Sequence, residues 1–161
     1  MSSSTDIDFE TRVQSLAETC GLGKNLVSVT SLCAIRIEEI ERAVIFYHGI
    51  WSGPSVAVFR LLCTTIAESE KPVPVMVVNA DELSDAKPEL HQIAADFFGP
   101  SIGAWGETCW IRTGQIIGRD VLWWKNGDRA QQHTLARHYH RRVQASDTET
   151  RELIRRRINE L

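Results

Sequence analysis

The sequence predicts an α/β fold, a three-layer α/β/α sandwich on a mixed sheet, and three observations carry that expectation. Two continuous apolar runs, residues 43–49 (AVIFYHG) and 73–79 (VPVMVVN), have the character of strands buried on both faces. Stretches with apolar residues at helical spacing separate the β-rich runs. Later in the chain, Thr113-Gly114 sits between two short β-rich runs and reads as a hairpin turn, which adds antiparallel strands to a parallel core.

Each element follows from local chemistry. Residues 1–5 are a small polar lead-in, expected to be disordered. Asp6 is placed to cap a helix over 6–19, in which Phe9, Val13, Leu16 and Ala17 share a face and which Gly21 and Gly23 end. Residues 26–30 (LVSVT) alternate and are β-branched, a strand. Ser31 then caps a short helix to 41, and the 43–49 strand follows. A helix over 54–68 carries Val58, Leu61, Leu62, Thr65 and Ile66 as its inner stripe. In the 73–79 strand Pro74 is tolerable because it lies near the start. Residues 81–87 read as a loop, Pro88 opens a helix to 97, and 99–103 form a Gly- and Pro-bearing loop. The hairpin uses 108–112 and 115–118, with 121–125 available to extend it. Helices over 129–143 and 147–160 close the chain. No internal repeat or low-complexity segment interrupts this order, and the 161 residues read as a single domain, 1–161.

Composition narrows the function classes. The hydrophobic share, 43%, and charged share, 24%, are those of an ordinary globular chain. The net charge of −3 argues against a general nucleic-acid binder. Residues 1–118 carry 8 Lys/Arg against 15 Asp/Glu, a net of −7, whereas 119–161 carry 10 against 6, a net of +4. The basic end is either a solvated helical face or a contact surface for an acidic partner. Cys20, Cys33, Cys63 and Cys109 form no CxxC pair and lie in apolar or strand-like contexts, as small buried thiols of an intracellular protein do. No basic start followed by an apolar run suggests a secretory signal, and no apolar run approaches the roughly 20 residues of a membrane span. The expected compartment is the cytoplasm.

One motif adds a family resemblance. Trp51-Ser52-Gly53-Pro54-Ser55 follows an apolar strand and opens a helix. That order resembles the thioredoxin family, whose W-C-G-P-C signature occupies the same place. VIFYHGI is similar to the family's central strand, VMVVN followed by Ala80-Asp81 to its third strand and acidic turn, and CWIRTGQIIG to its terminal hairpin. The likeness covers 26–143, with the N-terminal helix longer and the 147–160 helix added. It implies a thioredoxin-like fold whose redox pair is replaced by Ser52 and Ser55, and hence no dithiol–disulfide chemistry. The family's buried acid, six residues before the first cysteine, would fall on Phe46, and its cis-proline on Gly106. An unrelated α/β sandwich in which WSGPS is merely a helix start stays open. In either fold Ser52 can cap the helix and Pro54 can sit in its first turn.

Other candidate chemistry is weaker. His48 stands four residues before Ser52, within reach of it, but no acid is evident to orient it. Cys63 and Cys109 read as core residues rather than exposed, electropositive thiols. His133, His138 and His140 lack the three- or four-residue spacing that lines up a metal pair on a helix, so neither metal nor cofactor is expected. Trp51, Ser52, Trp105, Gly106 and Glu107 are expected to converge as a binding rim, and one of Trp123 and Trp124, on opposite faces of a strand, to point outward. Arg137, Arg141, Arg142 and Arg155, with Arg156 and Arg157, form the alternative surface.

The expectation is therefore a non-catalytic, thioredoxin-fold protein that binds another protein, as an adaptor or as an immunity protein that neutralises a toxin. Two alternatives stay open. One is a thiol-dependent enzyme, a single-cysteine peroxidase or thiol transferase. The other is a structural or complex-assembly subunit, homo-oligomers included.

Overall fold

The computed structural model describes residues 4–83, 87–99, 102–125 and 143–161. The N-terminal apolar stripe becomes α1 (Ser4–Thr19), in which Phe9, Val13 and Ala17 are buried. The helix already begins at Ser4, so Asp6 lies inside its first turn instead of capping it. Then come β1 (Val27–Val29), β2 (Arg42–His48), α2 (Gly53–Ala67), β3 (Val75–Asn79), α3 (Pro88–Phe98), β4 (Glu107–Arg112), β5 (Gln115–Val121) and α4 (Asp147–Glu160). β3 starts directly after Pro74, so the missing N–H falls before the strand, and the Pro74 carbonyl accepts from Val44 N.

The five strands form one mixed sheet in the order β1-β3-β2-β4-β5. β1 and β2 both pair with β3 in parallel, and β4 pairs antiparallel with β2 and with β5. Both faces are covered. Val44 and Phe46 of β2 point into a core made with α1, α2 and α4, where Phe9, Phe59, Leu62, Ile66 and Ile154 meet. Ile45 and Tyr47 point the other way, onto Phe97 and Phe98 of α3 and onto Leu32. Alternate burial on both faces is why β2 reads in sequence as an unbroken apolar run.

Several expectations need correction. Residues 31–41 are not a helix but two 3-10 turns, Leu32–Ala34 and Ile37–Glu39. Ile35, Ile37 and Ile40 pack against the α3-side core, and β-branched side chains at that spacing suit a chain held across a surface better than a helix. Residues 80–83 form another 3-10 turn within the expected loop. In α2 the buried stripe includes Phe59 and Cys63, while Leu61 is only partly buried. The return strand does not stop at Gly118 but runs on to Val121. Trp123 and Trp124 lie beyond it, not in a strand with one ring outward, and both are half-buried. Trp123 packs on the main core, and Trp124 lies against Trp105 with ring centroids 5.2 Å apart. The expected 129–143 helix lies outside the described residues apart from Val143, which is exposed and not helical. Met1–Ser3 lie outside them too.

Two features lock α4 down. Ser146 and Glu149 form a reciprocal capping box at its start. Arg157 reaches back to Asp120 of β5 with Nε–Oδ2 and Nη2–Oδ1 distances of 2.8 and 3.1 Å, a bidentate pair in a largely buried setting. Trp110 Nε1 donates to the same carboxylate at 2.9 Å. The guanidinium occupies the space that a Cβ on residue 118 would need, so β5 carries glycine there. Arg157→Met, which keeps the stem and removes the charge, is expected to destabilise the fold by about 3 kcal/mol because Asp120 is left buried without its ion partner. Urea unfolding of the variant against wild type measures it.

Candidate functional site

The WSGPS segment sits where β2 ends and α2 begins. His48 is the last residue of β2, Ser52 is the N-cap of α2, and Pro54 lies in the first turn, where a missing N–H is harmless. Ser52 Oγ accepts from Ser55 N at 3.3 Å and donates to the Ala104 carbonyl at 2.8 Å. The capping serine therefore also ties the helix start to the loop before β4. Ser52 is 7% exposed, so it is a joint rather than the open contact expected of it.

His48 turns toward Ser55, not Ser52. Its side chain follows Val44 and Phe46 onto the α2 face of the sheet, beneath the first helical turn, and Nδ1 lies 2.7 Å from Ser55 Oγ. Ser55 Oγ also accepts from Gly49 N at 3.1 Å. A serine and a histidine at this distance have the geometry of a nucleophile and its base. Their surroundings are apolar. Both side chains are buried, and the imidazole packs among Phe9, Phe46 and Phe59, with ring centroids 5.0–5.9 Å away. Burial pushes the His48 pKa down to about 4, well below the range of an effective base at neutral pH. Phe46 is fully buried against Phe59.

The loop before β4 is built around Glu107. Its carboxylate accepts from Gly103 N at 2.8 Å and Trp105 N at 2.9 Å, and the residue is fully buried. The loop it holds contains two left-handed positions, Ala104 (φ 57°) and Gly106 (φ 87°). A Cβ at Gly106 would come within 2.5 Å of Val58 Cγ2, so this position needs glycine for both conformation and space. No cis peptide bond occurs among the described residues. Gly106 and Glu107 are thus the frame of the loop and not, as expected, part of its contact surface.

What remains exposed at this rim is aromatic. Trp51 is 63% exposed and Trp105 36%. Trp51 Nε1 donates to Asp81 Oδ1 at 2.9 Å, which fixes the ring from the turn after β3. Gly49 lies beneath it: a Cβ there would stand 3.0 Å from the Trp51 ring and 3.1 Å from the Ala104 methyl. Trp51 and Ala104 of the loop before β4 therefore flank one glycine. Asp81 was legible in sequence only as part of an acidic turn.

The thiols divide. Cys63 and Cys109 are fully buried; burial raises both pKa values, that of Cys109 to about 12. Cys20 is partly buried, and Cys33 is exposed beside Ser31, contrary to the expectation that all four lie inside. On the alternative surface Arg155 is exposed on α4, whereas Arg151, Arg156 and Arg157 engage Glu68, Glu160 and Asp120. Arg137, Arg141 and Arg142, like His133, His138 and His140, lie outside the described residues. Among the described residues no His, Cys, Asp and Glu side chains gather to hold a metal ion, and no helix is long and apolar enough to cross a membrane.

No family model matches this chain, and no curated protein is significantly similar to it.

His48 makes stability depend on pH. Folded, it titrates near pH 4; unfolded, near the ordinary 6.5. Between these values the unfolded chain binds the extra proton, so His48 withdraws about 3 kcal/mol of stability as pH falls from 6.5 to 4. Comparing unfolding free energies of wild type and His48→Phe across that range is expected to show a shallower acid limb in the variant.

Proposed function

We propose that this chain is a thioredoxin-like, non-catalytic protein that binds another protein in the cytoplasm, as an adaptor or as an immunity protein. The observation that carries this reading is the contrast at the WSGPS segment. Ser52 and Ser55 are buried and committed to hydrogen bonds within the fold, while Trp51 beside them is 63% exposed and held by Asp81. A large aromatic ring, presented on a rigid frame and already partly immobilised, has the character of an interface anchor.

Three features support the family part of the proposal. The segment lies between a central buried strand and a helix N-terminus, a β-hairpin follows later in the chain, and helices cover both faces of the sheet. Serine retains the capping geometry of the motif but supplies no thiolate to attack a disulfide and no second thiol to resolve it.

Geometry offers a direct test of the family part. Ser52 and Ser55 stand one helical turn apart at the N-terminus of α2, close enough for Ser52 Oγ to meet Ser55 N. The double variant Ser52→Cys/Ser55→Cys is expected to form an intramolecular disulfide on mild oxidation, measured by thiol counting and mass. Wild type is expected to leave insulin disulfides unreduced in the presence of dithiothreitol; turnover at a thioredoxin's rate would end the proposal.

Binding is tested on the partner that co-purifies from the native host. Trp51→Ala is expected to weaken that complex by about 2 kcal/mol, roughly thirtyfold, with an unchanged melting temperature. Retained affinity in Trp51→Ala, together with slowed association in Arg141→Glu/Arg155→Glu, would move the interface to the basic C-terminal surface.

A further inference from the structure

Next to Trp51 lies an open cleft of about 620 Å³ at the C-terminal ends of β1 and β3. Buried Phe9 and partly buried Val29 and Ile50 supply apolar lining. Four carboxylates stand around it: Asp8 and Glu10 from α1, Asp81 and Glu82 from the turn after β3. No lysine, arginine or histidine lines it among the described residues.

These carboxylates are only partly compensated. Asp8 pairs with Arg12, one turn along α1, at 3.1 Å, and both side chains are more than half exposed. Glu82 accepts from Ser31 Oγ and from Leu32 N, and Asp81 from the Trp51 indole; these neutral donors leave both charges in place. Among the described residues, one arginine stands beside four acids, and residues 1–118 carry a net charge of −7. The carboxylates do not converge into a set that could hold a metal ion.

We propose that this cleft receives an arginine-bearing segment of the partner protein, an inference that rests on the Trp51 rim as the binding surface. Arginine fits the chemistry in three ways. Its alkyl stem can lie along the partly exposed Val29 and Ile50 while its head reaches the carboxylates. Its planar fork matches carboxylates bidentately, which an ammonium does not. It also stacks on tryptophan, and the exposed Trp51 ring is hydrogen-bonded to Asp81, one of the cleft's own acids. The negative field around the cleft draws a basic segment in and speeds encounter.

A random-peptide display library panned on the folded wild-type chain tests this. Selected sequences are expected to be enriched in arginine. A synthetic copy of the leading peptide is expected to lose about tenfold or more in affinity when its arginine is replaced by citrulline, which removes the charge and keeps the shape. Asp8→Lys/Glu10→Lys, at two exposed positions of α1, is expected to cause a similar loss and to flatten the salt dependence, with its circular dichroism spectrum unchanged. No selected binder, binders without basic residues, or equal affinity for the charge-reversed variant would overturn the inference. The two readings separate cleanly. Binders that lack arginine but fail on Trp51→Ala leave the rim standing and remove the cleft. Arginine peptides lost with Asp8→Lys/Glu10→Lys but indifferent to Trp51→Ala keep the cleft and remove the rim.

Discussion

Three segments of the chain meet at the first turn of α2, and two serine hydroxyls hold them there. Ser52 Oγ spans the helix start and the Ala104 carbonyl; Ser55 Oγ spans the helix and the end of β2, through His48 Nδ1 and Gly49 N. The net worth of each bond is modest, about 1 kcal/mol, but a lost partner would leave a buried polar group unsatisfied at about 1–3 kcal/mol. The rest of the site depends on this joint. Trp51 sits between its two ends, so the exposed ring projects from a part of the fold with little freedom. The 103–107 loop is fixed on one side by Ser52 and on the other by the buried carboxylate of Glu107.

Polar groups here act inward and aromatic groups outward. The hydroxyl–imidazole pair at 2.7 Å is enclosed by Phe9, Phe46 and Phe59 and joins the end of β2 to the start of α2. Among the described residues the Glu107 carboxylate likewise accepts from two backbone N–H groups. What solvent meets is indole and, beyond it, carboxylate. Such a surface offers contact area and a sign of charge, the two properties from which recognition is made.

Much of the fold was legible because burial leaves a strong imprint on sequence. The runs 43–49 and 73–79 could be strands only if both faces were covered, and they are. Helices α1 and α3 follow from apolar spacing and Pro88, and α4 covers the expected 147–160. Residues 31–41 failed because their isoleucines pack through a tertiary surface that local spacing does not encode. The site was legible in its centre and not at its edges. WSGPS announces a strand-to-helix turn, and the structure has that turn, with Trp51 exposed beside it. Whether Ser52 or Ser55 meets His48 depends on which sheet face His48 occupies, and whether Glu107 points out or in depends on loop N–H groups two and four residues earlier. The carboxylates of the cleft come from residues 8–10 and 81–82, and only the placement of α1 beside β1 brings these together.

Gly118 and Arg157 carry a different kind of consequence. The guanidinium fills the volume above β5 that any side chain at 118 would claim, so the two positions are complementary halves of one shape. Substitutions at these sites cannot be read singly. A methyl at 118 would come within 2.3 Å of the Arg157 guanidinium, so it acts on the Asp120 ion pair through space and not through sequence. Their energies are non-additive for that reason. A change at either position is therefore felt at the other, and through it at Asp120.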